Sequence, residues 1–195
     1  LLADTSFKKI KLFSRSSVHK NSPRIEEHLI DLFQLKKNAA NFTADVVFCC
    51  IGTTKANTPD KETYRKIDYG IPVSAAKLCK QNNIKTFIVI SALGSDPEST
   101  VFYNKVKGEM ERDVLAQGIK NTYILQPSLI GGDRKEKRIG ERGAKYFMKI
   151  FNPIIPKKYK TIHPEIIAIA MRRLSKKEYN ETIITSEKIK EIADA

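Results

Sequence analysis

A parallel β-sheet covered on both faces by helices is the fold class this sequence predicts, and three observations predict it. Short apolar runs alternate with amphipathic, helix-length segments along most of the chain. One of those runs, Lys85 to Ile90, ends in Ser91-Ala92-Leu93-Gly94-Ser95-Asp96-Pro97, which sets a hydroxyl at the C-terminal end of a strand, where open parallel sheets place their chemistry. Tyr103 and Lys107 then stand four residues apart on a helical segment, so their side chains share one face.

Taken in order, Phe7 to Phe13 (FKKIKLF) and Arg24 to Leu32 (RIEEHLIDL) are strand candidates, separated by a polar stretch too short for a long helix. Asp45 to Ile51 (DVVFCCI) is a third strand, closed by Gly52-Thr53-Thr54. Glu62 to Lys80 keeps a helical period through Tyr64, Ile67, Ile71, Ala75 and Leu78, with Pro72 predicting a kink or bulge. After the strand before Ser91, Ser99 or Thr100 offers an N-cap. Val106, Met110, Val114 and Leu115 then form an apolar stripe that Gly118 stops. Thr122 to Leu125 is the next strand. Gly131 to Gly143 reads as a polar loop, Ala144 to Phe151 and Pro164 to Leu174 as helices, and Glu181 to Thr185 as a last strand before a terminal helix from Ser186.

A chain of 195 residues with 41% hydrophobic content suffices for one domain with a real core. It has no apolar run of the ~18 residues a membrane span needs and opens on no signal-peptide pattern, so a cytoplasmic protein without a membrane partner is expected. Cys49, Cys50 and Cys79 give neither a CxxC nor a zinc spacing, and read as reduced residues, Cys49 and Cys50 pointing to opposite faces of a strand. The net charge of +13 is spread along the chain, with clusters at Arg134 to Lys145 and Lys157 to Lys160. No basic stripe interleaved with aromatics accompanies it, so the charge argues for a solvated surface over a nucleic-acid partner.

The Tyr103/Lys107 pair can do chemistry. An ammonium beside a phenol favours the phenolate, bringing a group that titrates near ~10 toward neutral pH and making a general acid/base without histidine. The chain in fact resembles the short-chain dehydrogenase/reductase superfamily, in its atypical NmrA-like branch, and most of all the Tat-interacting-protein-like oxidoreductases. The residues that carry the resemblance are Phe48-Cys49-Cys50-Ile51-Gly52-Thr53-Thr54, Ser91 with Tyr103 and Lys107, and Gln126-Pro127-Ser128 running into Asp133 to Glu141. It covers nearly the whole chain and implies a Rossmann-like, doubly wound sheet with a substrate-side lobe from residues 131–180. It also implies hydride transfer between a nicotinamide and a carbonyl or alcohol, with Tyr103 moving the proton, Lys107 tuning it and holding the nicotinamide ribose, and Ser91 bonding the substrate oxygen.

The family's first strand and Gly-rich, phosphate-cradling turn are not in this sequence. Leu1-Leu2-Ala3-Asp4 reads as the tail of the helix that follows that turn, which places roughly twenty further residues upstream. The other cofactor positions carry over. Ser14-Arg15 matches the segment that reads the adenosine ribose, where a carboxylate would favour NAD and Arg15 suits a 2'-phosphate, so NADP is expected before NAD. Asp31-Leu32 matches the adenine flank; Cys50, Ile51, Gly52 and Thr53 match the turn beside the cofactor; Pro127 and Ser128 match the cover of the nicotinamide. Where many members place an asparagine for a proton relay, this chain offers Asp68.

The substrate wall would be Gly131 to Tyr159. Its Arg134, Arg138, Arg142 and Lys145 suit an anionic small molecule, while Glu136 and Glu141 equally suit a lid whose charges pair internally. A sensor that binds NAD(P)(H) and a protein partner without chemistry is the alternative, since the NmrA-like branch includes such proteins. His28, His163 and Cys49 have no partner in sequence that would make them catalytic.

Overall fold

The computed structural model describes residues 1–131 and 161–195. The strands are β1 (Ile10–Ser14), β2 (Ile25–Leu29), β3 (Val46–Cys49), β4 (Thr86–Ile90), β5 (Asn121–Gln126) and β6 (Ile183–Thr185). The α-helices are α1 (Lys61–Arg65), α2 (Ile71–Gln81), α3 (Phe102–Leu115), α4 (Pro164–Leu174) and α5 (Ser186–Asp194). All the strand pairings are parallel. The expected loop and helix between Gly131 and Phe151, and the basic clusters at Arg134 to Lys145 and Lys157 to Lys160, lie outside the described residues.

Alternation along the strands builds the two covered faces. Phe87 and Val89 of β4 and Ile124 of β5 join a core with Ile71, Leu78 and Cys79 of α2 and with Met110 and Val114 of α3. Ile88, Tyr123, Leu125 and Ile184 face the other way, into Ile167, Ala170 and Leu174 of α4 and Ile189 and Ile192 of α5. Phe87, Ile88 and Val89 are each 0% exposed, so consecutive residues of β4 are buried on opposite faces, as a sheet between two helical layers requires. Each contributes roughly 1.5–3 kcal/mol of burial.

The strands do not make one sheet. β1 and β2 form one, and β3-β4-β5-β6 form another in that order. The facing edges of β1 and β3 border a slot of about 1000 Å³ lined by residues of Phe7 to Phe13, Asp45 to Cys50, Leu35, Phe42 and Ala75. This is where the expected doubly wound sheet would hold its central strand, and none of the described residues forms one there.

Several boundaries differ from expectation for identifiable reasons. β2 ends at Leu29 because the Asp31 carboxylate accepts from the Phe33 N–H at 2.9 Å and opens a 3-10 helix, Leu32–Asn38. The long helix over Glu62 to Lys80 is interrupted at Lys66–Gly70 by a π turn; the bulge expected from Pro72 falls just before the residue that lacks an N–H. The N-cap of α3 is Val101, and Ser99 instead accepts the Val101 N–H at 3.1 Å. Leu115 leaves the apolar stripe at 40% exposure, while Gly118 closes the helix at φ +59° as expected. Leu1 to Asp4 is a turn rather than a helix tail, closed by the Asp4 N–H on the Leu1 carbonyl at 3.0 Å. α4 begins after His163, which is its N-cap residue.

Candidate active site

Parallel registry sets the site. Cys49 pairs with Val89, Val89 with Ile124 and Ile90 with Leu125, so β3, β4 and β5 end at one level. The residues that follow, Cys50 to Thr53, Ser91, and Pro127 with Ser128, therefore emerge side by side. The loops are tied together by the Ser91 N–H on the Leu125 carbonyl (2.7 Å) and the Leu93 N–H on the Pro127 carbonyl (3.0 Å).

α3 is drawn against this edge through Gly108. A Cβ there would lie 2.2 Å from the Asp96 carbonyl carbon and the Pro97 nitrogen, so the loop after Ser91 crosses the helix in contact with bare backbone. The Asp96 N–H completes the crossing on the Asn104 carbonyl at 3.1 Å. Gly108→Ala is expected to push this loop off the helix and to lower stability by about 1–3 kcal/mol or more, read as a shift in the urea midpoint.

The result is a cavity of about 1170 Å³ whose lining includes Ser91, Tyr103 and Lys107 together. Arg15, Asp31, Leu32, Cys50, Ile51, Gly52, Thr53, Pro127 and Ser128 line the same cavity. Of the residues expected at the cofactor, Ser14 is not in the lining: it is paired in β1, and its hydroxyl donates to the Ser16 carbonyl at 2.8 Å. Phe33, Lys55, Lys61 and Tyr64 line the cavity too and were missed in sequence. The lysines carried a signal, since Lys55 directly follows the Gly52-Thr53-Thr54 turn.

Two buried carboxyl groups pair with polar side chains of this cavity. Asp68, 1% exposed and in the π turn, holds the Lys107 ammonium at 3.0 Å and accepts the Thr53 N–H at 2.8 Å. Gly52 lies against this pair; a Cβ on it would be 3.4 Å from the Asp68 carboxylate. Asp68 is thus a counter-ion to the lysine. Glu111, one turn beyond Lys107, is also buried; the Ser91 hydroxyl donates to its Oε1, and Gln126 donates to both its oxygens at 3.0 and 2.9 Å. Burial raises the Glu111 pKa above its ordinary 4.5, against the hydrogen bonds from Ser91 and Gln126.

Tyr103 is 39% exposed and stands edge-on to the buried Tyr64 ring, with centroids 6.5 Å apart. Cys49 is inert, its thiol pushed up to about 12 by burial, while Cys50 is exposed on the opposite side of the strand end. His28 stacks on Phe13, away from the cavity lining.

Fold and strand order make this a Rossmann-like α/β protein. Among solved structures it is similar to the UDP-glucose 4-epimerase of Thermotoga maritima with UDP-glucose, at TM-score 0.65 and 13% identity, covering 95% of this chain and 75% of that one. It is also similar to the UDP-glucuronic acid 4-epimerase of Bacillus cereus in complex with NAD, at TM-score 0.59 and 14% identity, covering 84% and 60%.

No family model matches the chain. Curated relatives include the protein "FMP52, mitochondrial" of Candida albicans, 40% identical over 94 residues, 48% of this chain and 41% of the relative. The FMP52 protein of Eremothecium gossypii is 30% identical over 136 residues, 70% of this chain and 61% of the relative. The chain thus spans about two fifths to three fifths of these relatives' length. Their names correct one expectation: "mitochondrial" in each name overturns the cytoplasmic placement.

Proposed function

We propose that this chain is the core of an NADP-dependent, mitochondrial oxidoreductase of atypical, NmrA-like short-chain dehydrogenase type that reduces a carbonyl or oxidises an alcohol. The observation that carries this reading is the single cavity shared by Ser91, Tyr103 and Lys107 and by Arg15, Asp31 and the Cys50 to Thr53 turn.

The residues present fit a nicotinamide dinucleotide. Arg15 brings a permanent guanidinium to one part of the lining, suited to a 2'-phosphate, and the turn at Gly52 keeps backbone open to close approach. Asp31, whose pKa is lowered by hydrogen bonds from Gln34 and then Phe33, is an ionised acceptor at the adenine end. Lys107, Pro127 and Ser128 stand toward the nicotinamide end. The cofactor supplies the hydride. Tyr103 gives its phenolic proton to the substrate oxygen, Ser91 bonds the same oxygen, and Lys107, held in place by Asp68, supplies positive charge beside the phenol. Lys55 and Lys61 on the lining favour an anionic small-molecule substrate.

Arg15→Glu is expected to invert cofactor choice, weakening NADPH at least about tenfold against NADH, the loss of one charge-assisted contact. Fluorescence titration of both cofactors checks it. The function itself is tested with full-length protein, 4-deuterated NADPH and a panel of carbonyl compounds: deuterium on the carbinol carbon of a product supports it, and cofactor binding without transfer to any carbonyl contradicts it. That second outcome would fit the sensor reading, which one observation favours, namely that Ser91 and Lys107 already have carboxylate partners inside the protein.

A further inference from the structure

Glu111 is a buried carboxyl with no part in the chemistry so far, placed behind the one hydroxyl meant to bind substrate. We propose that Glu111 is a positioning residue that sets the direction of the Ser91 hydroxyl proton, and so decides whether Ser91 is a hydrogen-bond donor to the cavity. The proposal rests on the oxidoreductase reading of the site.

The hydrogen-bond inventory forces the choice. A serine has one hydrogen to give. When Glu111 is ionised both its oxygens only accept, so Ser91 gives that hydrogen to Oε1 and turns its lone pairs toward the cavity, where a carbonyl oxygen is not a partner. When Glu111 is protonated on Oε1, its own O–H donates to Ser91 Oγ while Gln126 keeps Oε2 at 2.9 Å. The Ser91 hydrogen is then released. Ser95, 3.0 Å away and with its own hydrogen on the Ala92 carbonyl at 2.7 Å, takes it until a substrate oxygen competes. The two arrangements differ by one proton, which Glu111 takes up from solvent as the pH falls, and the direction of the O–H···O contact reverses with it.

The neighbours of Glu111 suit such a role. From the β4 edge come Ser91 and Ser95, and from β5 Gln126, none of which titrates near neutral pH. Lys107, on the same helix, is the charged group that acts on Glu111, and Asp68 from the π turn matches that ammonium at 3.0 Å. Lys107 still favours the ionised form, but less than burial opposes it. Burial raises the carboxyl above its ordinary 4.5, so the protonated form extends toward neutrality.

The experiment has two arms on full-length protein. Infrared difference spectra of wild type minus Glu111→Gln, titrated with pH, should show a protonated-carboxyl band persisting above pH 4.5, and Ser91→Ala should shift its frequency. In the second arm, NADPH-dependent reduction of benzaldehyde by wild type should fall about tenfold per pH unit above the midpoint of that band, mostly in kcat. Glu111→Gln, whose amide N–H donates to Ser91 at every pH, should lose that limb and keep only the alkaline one due to Tyr103. A band that titrates at the ordinary value, a frequency indifferent to Ser91→Ala, or a wild-type pH limb retained in Glu111→Gln overturns the proposal. If wild type reduces no benzaldehyde, the result counts against the catalytic reading, and the infrared arm still decides the Ser91–Glu111 contact.

Discussion

Tyr103→Phe is expected to remove hydride transfer, by about 10²–10⁴ in kcat, while leaving NADPH affinity unchanged. The variant deletes one oxygen and keeps the ring. Because the Tyr103 ring stands at the cavity, 39% exposed and edge-on to Tyr64, a phenylalanine retains that contact and the start of α3 with it. Stability should therefore stay within about 0.5 kcal/mol, the range of a surface substitution. The split matters: loss of turnover with intact binding identifies a proton donor, whereas a parallel loss of affinity would make the tyrosine part of the binding wall. Rapid-mixing kinetics beside a binding titration separates the two outcomes.

Asp68→Ala is expected to be the most destabilising single change at the site, by about 3–5 kcal/mol, because it leaves the 5%-exposed Lys107 ammonium without its counter-ion. The Thr53 N–H also loses its acceptor, which loosens the turn at Gly52. Asp68→Asn should cost less, since an amide oxygen still accepts from Thr53. Adding Lys107→Met to Asp68→Ala should recover part of the lost stability, as removing both charges of a buried pair does. Urea unfolding of the three variants checks the series. A loss below about 1 kcal/mol for Asp68→Ala would mean that the pair is not held as described.

Much of the site was legible because its signals are local. Ser91 follows a buried β-branched run, and Tyr103 and Lys107 share a helical face, so their meeting at one sheet edge follows from parallel strands alone. Pro72 announced the π turn for the same reason, a missing N–H that the ladder must accommodate. Asp68 could be placed but not paired, since its partner lies in a different helix, and only tertiary packing turns a candidate relay residue into a buried counter-ion.

Glu111 left a fainter trace. Tyr103, Lys107 and Glu111 step four residues at a time along one face, yet a glutamate on a helix rich in charged residues reads as solvated until Gln126 and Ser91 are seen around it. The 3-10 helix at Leu32–Asn38 was hidden by an apolar run continuous with β2, although Asp31 was already the residue that starts it. The turn at Leu1–Asp4 was misread because a leucine pair before an acid suits a helix end as well as a turn.

A nicotinamide dinucleotide is expected to bind against Ser91, Tyr103 and Lys107. Calorimetric titration of the full-length protein with NADPH and NADH tests it most directly. One saturable site per chain, tighter for NADPH, with the preference inverted by Arg15→Glu, is the expected result; heats no different from buffer for both cofactors would contradict the claim.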